Sequence, residues 1–168
     1  MKKFFLIFLA ILAVAIQFIK PQRNESAVVS ATDISGIYNM PDDVSAILNK
    51  ACKDCHSNNT VYPWYANVQP VAWWLNDHIE EGKNELNFSE FASYSPGRQY
   101  HKLEEFKEQI DKDEMPLSSY TLIHTNAKLS DQEKKVLLNW AEGIRMQMKA
   151  KYPADSLIMK RGPRPPEG

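Results

Sequence analysis

The sequence predicts an all-α fold, a small helical domain preceded by an N-terminal transmembrane segment. Three observations carry this reading. Apolar residues recur at helical spacing in four stretches, a capping box opens the last of them, and no run of useful length alternates with a period of two. The 168 residues, 43% hydrophobic and 24% charged, are enough for one compact domain once about twenty N-terminal residues are set aside. Twenty basic against 21 acidic residues give a net charge of −1, which makes no electrostatic case for a nucleic-acid partner.

Lys2 and Lys3 precede sixteen residues, Phe4 to Ile19, of which only Gln17 is polar, and Lys20-Pro21 ends the run. Residues 1–20 are therefore read as a signal anchor or transmembrane helix. Sixteen helical residues reach ~24 Å, short of a ~30 Å hydrocarbon core, so a full crossing requires local thinning or snorkelling lysines. Ala13-Val14-Ala15 has the small-x-small form of a cleavage site, which leaves cleavage and release to the periplasm as the alternative. The apolar run continues past it through Ile16, Phe18 and Ile19, which favours an uncleaved inner-membrane anchor.

Residues 21–39 are small, polar and without periodicity, as in a linker. The domain is assigned to residues 40–152. Pro41-Asp42-Asp43 opens a helix on which Val44, Ile47, Leu48 and Ala51 share a face, and this helix delivers Cys52 and Cys55 on that same apolar face. A second helix is expected from Val71 to Glu81, with Val71, Trp74, Leu75, His78 and Ile79 on one face and Gly82 as its stop. A third begins at Ser95-Pro96, runs through Tyr100, Leu103, Phe106 and Ile110, and breaks before Met115-Pro116. The fourth follows the Ser130-Asp131-Gln132-Glu133 capping box, with Val136, Leu137, Trp140, Ala141 and Ile144 inward. Residues 153–168, rich in proline, are expected to form a disordered tail.

Both cysteines of the chain fall in Cys52-Lys53-Asp54-Cys55-His56. A thioredoxin-like pair follows a strand and starts a helix, whereas this one follows a helix. A structural zinc needs four ligands, and no second pair at zinc-finger spacing exists. For c-type haem the pattern makes sense: two thiols one turn apart bond the vinyl-derived carbons of one porphyrin edge, and the adjacent histidine reaches the iron. One covalent haem c is therefore expected on Cys52, Cys55 and His56.

A sixth iron ligand is sought among methionines and histidines. Met115, in the loop Asp113-Glu114-Met115-Pro116-Leu117, is favoured over His78, His101 and His124, each of which also reads as a structural or surface residue. Met115 itself also reads as an adaptable core filler. Tyr62, Trp64, Tyr65, Trp73 and Trp74 crowd into thirteen residues, either as a wall excluding water from the haem or as ordinary core. The Pro63 carbonyl is a candidate to orient the His56 ring.

The C-x-x-C-H motif, the EMPLSSY methionine loop and the ending LSDQEKKVLLNWAEG resemble small class I c-type cytochromes. More specifically, CHSNNTVYPWYANVQPVAWWLNDHIEEGKNELNFSEF resembles the bacterial haem-binding domain family of exported, membrane-tethered proteins. The resemblance covers about residues 40 to 150 and is specific in the YPWY, VAWWL and NFSEF blocks. It implies a cytochrome c-like fold, thioethers at Cys52 and Cys55, a proximal ligand at His56, a distal ligand at Met115 and a periplasmic haem domain.

The function these readings favour is one-electron transfer, with no chemistry on a bound substrate, between periplasmic or membrane redox proteins. Two rivals stay open: a peroxidase-like enzyme or gas sensor with an open or displaceable distal site, and a structural haem-carrying module of a larger respiratory complex.

Overall fold

A computed structural model of the chain describes residues 1–26 and 28–159. Among these residues every regular element is helical and no strand forms, as the 3.6-residue apolar period requires. The α-helices are α1 (Lys2–Ala15), α2 (Asp42–Ala51), α3 (Lys53–His56), α4 (Val71–Glu85), α5 (Pro96–Asp111), α6 (Ser118–Ile123) and α7 (Asp131–Lys151). Short 3₁₀ turns join them. The chain divides into two compact units, the first made of Met1–Val28 and Asp54–Asn87, the second of Val29–Lys53 and Phe88 onward.

The all-α expectation holds, but the transmembrane segment does not. No helix among the described residues is long and apolar enough to cross a membrane. The fourteen residues of α1 reach ~21 Å, well below a ~30 Å hydrocarbon core. The apolar run continues for four more residues, but not as α-helix, because polar contacts within the first unit capture its end. Gln17 Oε1 accepts from the Gln69 backbone N–H at 2.9 Å, and the Ile19 carbonyl accepts from Gln69 Nε2 at 2.7 Å and Trp73 Nε1 at 3.0 Å. Ile19 has left the helical region, with φ −96° and ψ 87°. The inner-membrane anchor inferred from hydropathy is accordingly withdrawn.

In the first unit α4 is longer than its sequence pattern suggests, running through Gly82 to Glu85. Ala72, Leu75 and Ile79 form its buried stripe, while Val71 and Trp74 of the expected face are exposed. Residues 22–26, read as linker, hold the buried Asn24.

The second unit is organised by α5 against α7, with α2 also packed on α7. Val44, Ile47, Leu48 and Ala51 of α2 are buried as expected. Phe106 meets Phe88 and Trp140 edge-on, at centroid distances of 6.0 and 6.3 Å, and Trp140 Nε1 donates to the Asn39 carbonyl at 3.0 Å. An indole buried with its donor satisfied is a strong anchor for a small helical core. Ser95 caps α5 by accepting from Arg98 N–H at 3.3 Å. Beyond α7, Ile158 packs so close to α5 that a Cβ on Gly97 would lie 2.5 Å from its carbonyl oxygen. Of the expected tail, residues 160–168 lie outside the described residues.

The capping box of α7 forms as its sequence predicts. Ser130 Oγ accepts from Glu133 N–H at 3.3 Å, and Glu133 Oε2 accepts from Ser130 N–H at 2.9 Å. Lys50 also binds Glu133, at 2.5 Å, and this hydrogen bond, with those from Ser130, holds the carboxyl below the usual glutamate range. A depressed folded-state pKa stabilises above the unfolded value and is lost as pH falls through the folded one. Ser130→Ala is expected to cost about 1 kcal/mol in urea unfolding at neutral pH. The gap should narrow in acid, once Glu133 is protonated.

Candidate functional site

The site begins where α2 ends. Cys52 donates its N–H to Leu48 O at 3.0 Å, then leaves the helical region at φ −128°, ψ −45°. Helix resumes at once in α3, with Asp54 in its first turn. The two cysteines therefore sit across a helix break rather than on one continuous apolar face, as the periodicity suggested. Both are half-buried and neither is in a disulfide. Burial, aided by the Asp54 charge, pushes the Cys55 thiol up to about 11. Such a thiol stays protonated at neutral pH, the opposite of an activated redox dithiol.

The loop after α3 folds back on the motif. Thr60 Oγ1 donates to the Asp54 carbonyl at 2.6 Å, and Val61 N–H donates to Asp54 Oδ1 at 3.0 Å. His56 Nδ1 lies 2.9 Å from the Leu86 carbonyl oxygen. A carbonyl can only accept, so Nδ1 carries a proton, and Nε2 is the ring nitrogen that a metal could take. Leu86 caps α4, its own N–H bound to Gly82 O at 2.9 Å. The orienting carbonyl is thus that of Leu86, not of Pro63.

Gly82, expected to stop α4, has another role. A Cβ there would lie 2.7 Å from the Cys55 carbonyl oxygen and 3.0 Å from Cys55 Cβ. The last turn of α4 therefore lies directly on α3, and only a glycine allows it. This one turn meets Cys55 at Gly82 and fixes the His56 ring at Leu86.

The aromatic cluster does not form a closed wall. Trp64 is 80% exposed and Trp74 43% exposed, while Tyr62, Tyr65 and Trp73 are half-buried. Tyr62 OH accepts from Asn24 N–H at 2.7 Å, and Arg23 stands over its ring at 4.6 Å.

Met115 belongs to the second unit, half-buried in the turn between α5 and α6. Its N–H donates to Gln109 O at 3.1 Å, and the chain reverses through Asp113 at φ 59°. The other candidate ligands have local partners. His78 Nδ1 donates to the Trp74 carbonyl at 2.9 Å, His101 Nε2 pairs with Glu105 at 3.0 Å, and His124 stacks on Tyr120 at 4.3 Å between centroids.

Two thiols outside any disulfide and one imidazole oriented by a carbonyl are groups of the kind that can hold a haem. They do not suit a tetrahedral zinc: among the described residues no group of three or more His, Cys, Asp or Glu could hold a metal ion. Leu86, Gly82 and Asn24 were not foreseeable as parts of this site. A backbone carbonyl leaves no trace in a sequence, and Asn24 sits in a stretch with no periodicity.

A haem-binding domain family model matches residues 11–143 of the chain. No curated protein and no solved structure matches it.

Proposed function

Because the chain belongs to the haem-binding domain family, we propose that it is a monohaem c-type cytochrome that carries single electrons between redox proteins of the periplasm. The observation that carries this reading is the His56 Nδ1–H bond to the Leu86 carbonyl, within a Cys-x-x-Cys-His whose thiols are half-buried and not joined in a disulfide. Cys52 and Cys55 would hold the haem as thioethers, and His56 Nε2 would bind its iron. When bound, the haem supplies an iron that gains and loses one electron.

The protein's part is to hold and tune. The Leu86 carbonyl keeps the proton on Nδ1 and raises the basicity of the ring, which strengthens Nε2 as a ligand. The fit of α4 on Cys55 at Gly82 holds the Cys55 backbone and Cβ against the last turn of α4. Met115, whose N–H donates to the Gln109 carbonyl in the turn between α5 and α6, would be the second iron ligand. With His56 and Met115 as its two ligands, such a haem would have a raised potential and suit electron transfer. The rival of an exchangeable sixth position gains no support from His78, His101 or His124, each of which has a local partner.

Met115→Ala is expected to keep the haem covalently attached but to turn the iron high-spin and reactive to carbon monoxide, read in the optical spectrum. A low-spin spectrum indifferent to carbon monoxide in that variant ends the Met115 assignment.

A further inference from the structure

Asn24 lies in the stretch that reads as a linker, yet it is only 9% exposed and its side chain is fully engaged within the first unit. Its Nδ2 donates to the Ser57 carbonyl at 2.8 Å and to Thr60 Oγ1 at 2.9 Å. Its Oδ1 accepts from Lys83 Nζ at 2.8 Å. Its backbone takes part as well, with the N–H on Tyr62 OH at 2.7 Å and the carbonyl receiving Thr60 N–H at 2.9 Å.

These partners are two sides of one structure. Ser57 follows His56 directly, and Thr60 reaches on to the Asp54 carbonyl inside the motif. Lys83 stands in the turn of α4 that meets Cys55 at Gly82 and orients His56 through Leu86. A closed circuit results: His56 to Leu86, along the turn to Lys83, across to Asn24, and back through Ser57 to His56. Only an asparagine closes it. Aspartate has no N–H for Ser57 and Thr60, and alanine loses all three side-chain bonds.

We propose that Asn24 is a positioning residue for the haem, locking the motif's loop to α4 so that the His56 ring keeps its bond to Leu86. This rests on the reading of His56 as an iron ligand. Without the lock, the loop and the α4 turn separate more readily, the His56 bond opens more often, and the ring loses basicity.

The test uses the full chain produced with a haem-attachment machinery, comparing wild type, Asn24→Ala, Asn24→Asp and the remote control Ser130→Ala. Two quantities are read: solvent exchange of the His56 Nδ1 proton by NMR of the haem-loaded protein, and the reduction potential. Both Asn24 variants should retain covalent haem, exchange the ring proton about tenfold faster, and shift the potential upward as the imidazole becomes a weaker donor. Ser130→Ala, which weakens only the cap of α7, should change neither. Exchange and potential equal to wild type in both Asn24 variants would overturn the proposal. Should Asn24→Ala fail to accumulate, Lys83→Met removes one arm of the circuit alone, and faster exchange there supports the lock whereas unchanged exchange overturns it. A wild-type protein whose His56 ring carries no iron-induced shift would instead overturn the ligand reading itself, and the role of Asn24 with it.

Discussion

His56→Ala is expected to abolish stable haem incorporation while the chain still folds. The imidazole is half-buried and pinned at 2.9 Å to the carbonyl that caps α4. Its removal takes the proposed iron ligand from the motif and leaves the Leu86 carbonyl without that partner, at a cost of about 1–3 kcal/mol. A loss of that size perturbs a small domain without unfolding it, so the main effect falls on the cofactor. Haem content per chain, measured after purification from cells carrying the attachment machinery, should drop to background. His124→Ala, made at a ring stacked on Tyr120, should load normally. Full loading with an unaltered spectrum in His56→Ala would contradict the proximal assignment.

Gly82→Val should be nearly as damaging, although residue 82 has no side chain to lose. A β-carbon would meet the Cys55 carbonyl oxygen at 2.7 Å and Cys55 Cβ at 3.0 Å, and the first of these is backbone, which cannot swing aside. Valine adds branches to the same collision. Either α4 moves off α3 or the motif is displaced, at about 1–3 kcal/mol or more for forced overpacking. The gain in helix propensity over glycine, about 0.5–1 kcal/mol, does not offset this. The expected result is a lower urea midpoint together with reduced haem loading. Were position 82 merely the stop of a helix, valine would leave the haem unaffected, and that outcome would refute the close packing of α4 on the motif.

What the sequence revealed, and what it concealed, follows from the range of the interactions concerned. The helices α2, α5 and α7 were legible because their signals are local: acids in the first turn at Asp42 and Asp43, Ser95 ahead of Pro96, and the Ser130–Glu133 box. The motif was legible for the same reason, since its residues are covalent neighbours. Gly82 reads as a terminator in the sequence because a helix stop and a close approach ask for the same residue, and only the presence of Cys55 opposite separates them. The apolar N-terminus was read as a membrane helix because hydropathy sees side chains alone. The helix ends early through the Ile19 carbonyl and Gln17, whose partners Gln69 and Trp73 lie some fifty residues away. Asn24 gives no signal in the sequence because a single polar residue in an aperiodic stretch carries no period, and its partners are 33 to 59 residues distant.

The proposed haem is bonded to the chain through Cys52 and Cys55. It is tested most directly by the mass of the purified protein under denaturing conditions, for wild type and for a Cys52→Ala, Cys55→Ala double variant. Wild type should carry the added mass of one haem that survives denaturation and organic extraction, and the double variant should run at the mass of the bare chain. A haem that extracts from the wild-type protein, or bare-chain mass in both, would contradict the claim.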